Sequence, residues 1–189
     1  MKIKNWEEVT AANGSAKLPV GGYVCIITAV EDEAKYERLA ITFDIDEGQY
    51  KGFYANSDGW RHQFRKFYSD KASPFFKAFL EVLAESNPSF SIAEWQKTCN
   101  EKALVGLRFG GLFQILWKTS EKTGKWTEIV ECGEQVPVAN IQRNDFALPP
   151  VQWLYDRARH NNPPDGFEAG GDVKPAAKQE QLYDGDIPF

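Results

Sequence analysis

The 189-residue sequence predicts a mainly β fold: a small antiparallel barrel with one or two short helices and a disordered C-terminal tail. Three observations lead there. Short runs of β-branched and aromatic residues recur between turn residues, the pattern of a small barrel or sandwich. Hydrophobic residues make up 42% of the chain, with six Trp, seven Tyr and thirteen Phe, enough to fill the core of one domain of about 150 residues. Residues 161–189 instead hold four prolines, four glycines and six acids. Such a stretch buries too little apolar surface to offset the entropy of ordering it. The expected organisation is a lead-in over 1–17, a domain over 18–160 and a tail over 161–189.

The elements follow in order. Leu18-Pro19-Val20-Gly21-Gly22 reads as a turn, and Tyr23 to Val30 as a buried, β-branched strand. Glu31 to Glu37 is a charged connection. From Arg38 to Asp46 the pattern alternates, with Leu39, Ile41, Phe43 and Ile45 on one side, so this is a half-buried antiparallel strand. Gln49 to Tyr54 reads as a third strand with Gly52 as a bulge. Ser73 and Pro74 start a helix as N-cap and first-turn residue; Phe76, Phe79, Leu80 and Leu83 share its buried face, and Asn87-Pro88 ends it. Ser91 with Glu94 forms a capping-box pattern for a second short helix. Leu104 to Phe109 and Leu112 to Lys118 read as two strands broken at Gly110-Gly111, and Trp126 to Cys132 returns as another. Trp117 and Trp126 flank the intervening loop. A short amphipathic piece follows from Val151 to Arg159. Three strands, a helix and a closing hairpin is the order of the OB-fold, a Greek-key barrel whose strands 2–3 and long loops grip oligonucleotides.

Charge and cysteine usage narrow the function. Of 22 basic and 27 acidic side chains, 2 and 6 lie in residues 161–189, so the tail carries most of the net −5 and the body is near neutral. Within it, Lys51, Arg61, Arg65, Lys66, Lys71 and Lys77 face only Asp58 and Asp70 between residues 51 and 77. An acidic chain can therefore still carry a nucleic-acid surface. Cys25, Cys99 and Cys132 are far apart, and there are two histidines, His62 and His160, so neither a disulfide framework nor a metal site is expected. No cofactor is expected either. Reduced cysteines and the lack of an apolar leader suit a cytoplasmic protein. The apolar run Val24 to Val30 is too short to span a membrane. No nucleophile–His–acid set or phosphate-cradling glycine loop is present, so no enzyme is expected. Asp44 and Asp46 read as solvated acids before a turn.

Non-specific single-strand binding needs cations along a groove and aromatic faces for bases. The stretch from Tyr54 to Tyr68 offers both, with Trp60, Arg61, Arg65, Lys66 and Tyr68 as candidate contacts. Phe64 and Phe67 are expected in the core. Lys122, Lys125 and Trp126 of the hairpin loop form a second candidate surface. Lys35, Tyr36 and Arg38 form a third, hemmed in by acids. The chain then closes on Asp184-Gly185-Asp186-Ile187-Pro188-Phe189. Its acids suit a basic partner surface, and Ile187 and Phe189 an apolar pocket, with Pro188 limiting the conformations to be frozen out.

This tip resembles the C-terminal tip of bacterial single-stranded DNA-binding proteins, an acidic run followed by Ile-Pro-Phe. Gly185 stands where that tip usually has another acid. The body, over roughly residues 17–148, is similar to the divergent single-stranded DNA-binding proteins of bacteriophages and integrative elements. Lys17-Leu18-Pro19-Val20-Gly21-Gly22-Tyr23, Ile45 to Gly52 and Pro74-Phe75-Phe76-Lys77 carry that similarity. The resemblance implies an OB-fold body that coats single-stranded DNA during replication and recombination, in a bacterial cytoplasm. The tail would recruit replication, recombination and repair proteins, without catalysis. A homo-oligomer, dimer or higher, stays open. The competing reading is an OB-like interaction module that binds proteins and not DNA.

Overall fold

The computed structural model describes residues 17–56, 62–120 and 123–169. Its fold is mainly β, with seven strands and three short helices among those residues. The chain divides into two compact units, Met1–Ile115 with Val130–Pro150, and Leu116–Ile129 with Val151–Phe189.

In the first unit, β1 (Gly21–Glu33) is the strand the others are built on. Its first half, Gly21 to Ile26, pairs with β4 (Arg108–Thr119); its second half, from Cys25 to Glu33, pairs with β2 (Arg38–Ile45). A register shift between Ile27 and Ala29 interrupts the β1–β2 ladder. β3 (Gln63–Phe67) adds to β2, giving the order β3-β2-β1-β4, with β5 (Trp126–Val136) on β4. One long strand shared between two neighbours, then a helix, then a hairpin, is the arrangement of a small OB-like barrel, here with a sheet that is not closed. β4 and β6 pair in parallel, so the expected all-antiparallel pattern has one exception.

The alternation in β2 settles which face is inside: Leu39, Ile41, Phe43 and Ile45 are all buried. Phe43 meets Phe64, Phe109 and Phe113 at ring-centroid distances of 5.7, 5.7 and 6.0 Å. α1 (Ser73–Ser86) buries Phe79, Leu80 and Leu83 against them. Pro74 sits in its first turn as expected, but Ala72 and not Ser73 is the N-cap. Asn87 ends the helix: its Nδ2 donates to the Leu83 and Arg108 carbonyls and its Oδ1 accepts from the Arg108 N–H, tying the helix end to β4. In α2 (Ile92–Thr98) the Ser91 hydroxyl accepts from the Glu94 N–H, the expected cap.

Three expectations change. The Gln49 to Tyr54 strand is a 3-10 turn (Gly48–Tyr50) followed by further turns, and Gly52 lies at φ +73°, a left-handed turn position and not a bulge. The third strand comes later, within the basic aromatic stretch. Gly110-Gly111 does not break a strand. β4 runs through both, and Leu104 sits in a 3-10 turn before it. A side-chain carbon on Gly110 would lie 2.5 Å from Ile141 of α3 (Val138–Gln142) and 2.9 Å from Val136. The glycine is there so that α3 can lie flat on the sheet. Asp44 and Asp46 are structural: the Asp44 Oδ1 accepts from the Ile45 and Tyr54 N–H groups, and Asp46 pairs with Arg108 at 2.9 Å.

In the second unit, β6 (Gln152–Tyr155) runs parallel to the end of β4 and turns into β7 (Ala158–His160). Asp156 and Arg157, at φ 50° and 62°, make the left-handed turn that joins them. The unit's core is aromatic. Phe167 lies 5.3 Å from Trp117, 5.4 Å from Trp126 and 6.0 Å from Trp153. The boundary expected at residue 161 thus falls inside a packed unit.

Candidate nucleic-acid interface

The β2–β3 ladder decides which candidate residues face out. Arg38 pairs with Phe67, Leu39 with Lys66, Ala40 with Arg65 and Ile41 with Phe64. Side chains alternate along a strand, so Phe64 and Lys66 share the inner side with Leu39 and Ile41. Arg65 and Phe67 point the other way.

Of the sequence candidates, Arg65 is therefore placed for contact; its side chain is 39% exposed. Lys66 is not. Its ammonium lies 5.0 Å from the Phe79 ring centroid and 5.6 Å from that of Phe64, and desolvation there lowers its pKa. Its charge rests on aromatic faces inside the molecule, away from any phosphate track. Tyr54 is buried, stacked on His62 at 5.0 Å and against Phe53 at 4.9 Å, so its ring has no face to offer a base. Tyr68 is half-buried, with its hydroxyl donating to Asp32 at 2.8 Å and its ring against Phe76. That bond pushes the Tyr68 pKa up to about 12. Trp126 is buried in the second unit's aromatic core and Lys125 is exposed beside it. Trp60, Arg61 and Lys122 lie outside the described residues, as do Asp184, Asp186, Ile187, Pro188 and Phe189.

What the ladder gathers instead is a row the sequence only hinted at. Phe67, expected in the core, is 37% exposed. The Arg38 guanidinium lies 5.5 Å from its ring centroid and 4.7 Å from that of Tyr36. Tyr36 is 54% exposed and carries Lys35 at 5.5 Å. Arg65, Phe67 and Arg38 on the outer face of strands 2 and 3, with Tyr36 from the 3-10 turn just before strand 2, thus form a run of alternating cations and rings. Strict alternation through Gln63-Phe64-Arg65-Lys66-Phe67 would have found it, once the strand was placed there.

One acid intrudes. The Glu33 carboxylate pairs closely with the Arg38 Nε and lies 3.6 Å from the Arg65 Nε. The hydrogen bond from Arg38 is the main reason its pKa falls below the ordinary carboxylate value. At neutral pH Glu33 thus holds the two arginines in one place and offsets part of their charge. The row can receive flat apolar faces on Tyr36 and Phe67 and anions between Arg38 and Arg65. Glu33 would have to yield for an anion to enter.

Among the described residues no helix is long and apolar enough to cross a membrane. No protein-family model matches the chain, and no curated protein matches it in sequence.

Proposed function

We propose that the chain is a single-stranded DNA-binding protein of the phage or mobile-element type. It coats DNA strands without sequence preference during replication and recombination. The observation that carries this reading is the Arg65–Phe67–Arg38–Tyr36 row on the face of an OB-like sheet where such folds grip oligonucleotides. Rings that stack on any base and arginines that meet phosphates need no base-edge contacts, which suits binding without sequence preference. The acidic tip Asp184 to Phe189 recruits replication and recombination enzymes, and no catalysis is assigned. The site of action is the cytoplasm of a bacterium or infected cell, and a homo-oligomer fits the role.

Fluorescence anisotropy with labelled oligo-dT and a duplex of equal length tests this. Single-strand-selective, salt-sensitive binding is expected. Removal of residues 181–189 should leave DNA binding in place, or tighten it at low salt, while abolishing capture of replication proteins. Glu33 favours a second reading, a module that binds proteins alone, because it already neutralises part of the row. Absence of binding to either DNA form, at low salt, would favour that module.

A further inference from the structure

A pocket of about 750 Å³ opens in the first unit between α1, α2 and the β1–β2 edge. This is within the size range of sites for small organic ligands. Its apolar wall is Leu39, Leu80 and Ile92, and three aromatic rings complete it. Tyr68 and Phe76 meet edge-on at 6.2 Å, and Phe76 and Trp95 are tilted by 53° at 5.9 Å. The three rings thus stand at angles to one another along the pocket wall.

Among the charged groups of the pocket the acids outnumber the cation two to one, and Ser73, Gln96 and Cys99 add neutral polar groups. Asp32 and Glu101 line it, and among the described residues neither carboxylate has an ion-pair partner. The one cation present, Lys77, is 74% exposed and engaged with Glu81 at 3.7 Å. The Tyr68 hydroxyl donates to Asp32 at 2.8 Å, which fixes both the ring and the carboxylate before any ligand arrives. Aromatic faces beside a fixed carboxylate suit a positive charge on an apolar body.

We propose that this pocket binds a small organic cation with an apolar body, of the aryl- or alkylammonium class. The charge would sit between Asp32 and the Tyr68–Phe76–Trp95 rings, with the apolar part against Leu39, Leu80 and Ile92. The chain's own tip is a poor occupant, because Asp184 and Asp186 would approach two carboxylates. A nucleotide is disfavoured for the same reason.

The test uses the full chain labelled with 5-fluorotryptophan, with the Trp95 fluorine signal assigned by W95F. The probe is phenethyltrimethylammonium chloride. Comparators are its neutral carbon analogue, 3-phenylpropanoate, and thymidine 5′-monophosphate. The expected result is a saturable shift of the Trp95 signal, with the cation binding at least tenfold more tightly than the neutral analogue. D32N, with its fold checked by circular dichroism, should erase most of that preference. Calorimetry on the unlabelled parent repeats the ranking if W95F fails to fold. Equal binding of cation and neutral analogue, tighter binding of either anion, or no saturation with any probe would overturn the proposal. A cation preference untouched by D32N would also overturn it.

Discussion

Phe67→Ala and Arg65→Ala separate the two halves of the proposed DNA contact. Phe67 is 37% exposed and Arg38 already covers part of its ring at 5.5 Å. Stacking on one base contributes about 1–3 kcal/mol, and the partial cover argues for the low end, so Phe67→Ala should weaken oligo-dT binding about tenfold. It removes no charge, so the salt dependence should not change. Arg65→Ala removes one candidate phosphate partner. The slope of log affinity against log salt should flatten by about 0.7 for a single strand. Between 50 and 200 mM salt the parent should therefore lose about 2.6-fold more affinity than this variant. Anisotropy on oligo-dT across that salt range reads both quantities, with circular dichroism to show that each variant is folded. If both variants bind like the parent, or if Phe67→Ala changes the slope, the row on strands 2 and 3 is not the DNA surface.

Four further outcomes follow from the same structure. Glu33→Gln should tighten oligo-dT binding severalfold, since the carboxylate it removes holds both Arg38 and Arg65; weaker or unchanged binding would mean that Glu33 does not compete. Its depressed pKa also has a stability consequence: the contribution is present above the unfolded-state value and lost as pH falls through the lower folded one. Urea midpoints of the parent should thus drop more than those of Glu33→Gln on moving from pH 6 toward about pH 3. Gly110→Ala forces a carbon to within 2.5 Å of Ile141 and should cost about 1–3 kcal/mol in urea unfolding, with an unchanged denaturant slope. Iodoacetamide at pH 8 should label exposed Cys99 well before Cys25 or Cys132, whose thiols burial pushes up, that of Cys132 to about 12. Peptide masses showing Cys132 modified as fast as Cys99 would contradict that environment.

The parts of this fold that were legible in the sequence are those where a local rule decides the outcome alone. Alternation placed the buried face of β2, and the Ser91–Glu94 pattern placed the start of α2. The parts that were not legible depend on a partner. A glycine pair reads the same whether it breaks a strand or seats a helix; Ile141 and Val136, far along the chain, make Gly110 a packing residue. The apolar residues of Gln49 to Tyr54 look like a strand because nothing local shows that Asp44 will accept the Tyr54 N–H and hold the segment as turns. Composition assigned Phe167 to a tail, yet one ring suffices once three tryptophans surround it.

The candidate interface failed in the sequence for the same reason, and the failure is instructive. Interleaved cations and rings between residues 63 and 68 suggested a single basic aromatic surface. Strand geometry splits that run by parity, sending Phe64 and Lys66 inward and Arg65 and Phe67 outward. Half of the apparent signal is then core chemistry, with Lys66 resting on Phe64 and Phe79. The lost half is replaced by Arg38 across the ladder and Tyr36 in the turn before it, which a charged neighbourhood had made the weakest candidates. That neighbourhood includes Glu33, the group that holds both arginines. In the proposed DNA contact, the acid that lowers the sequence signal is thus the one that holds both arginines and would have to give way to a phosphate.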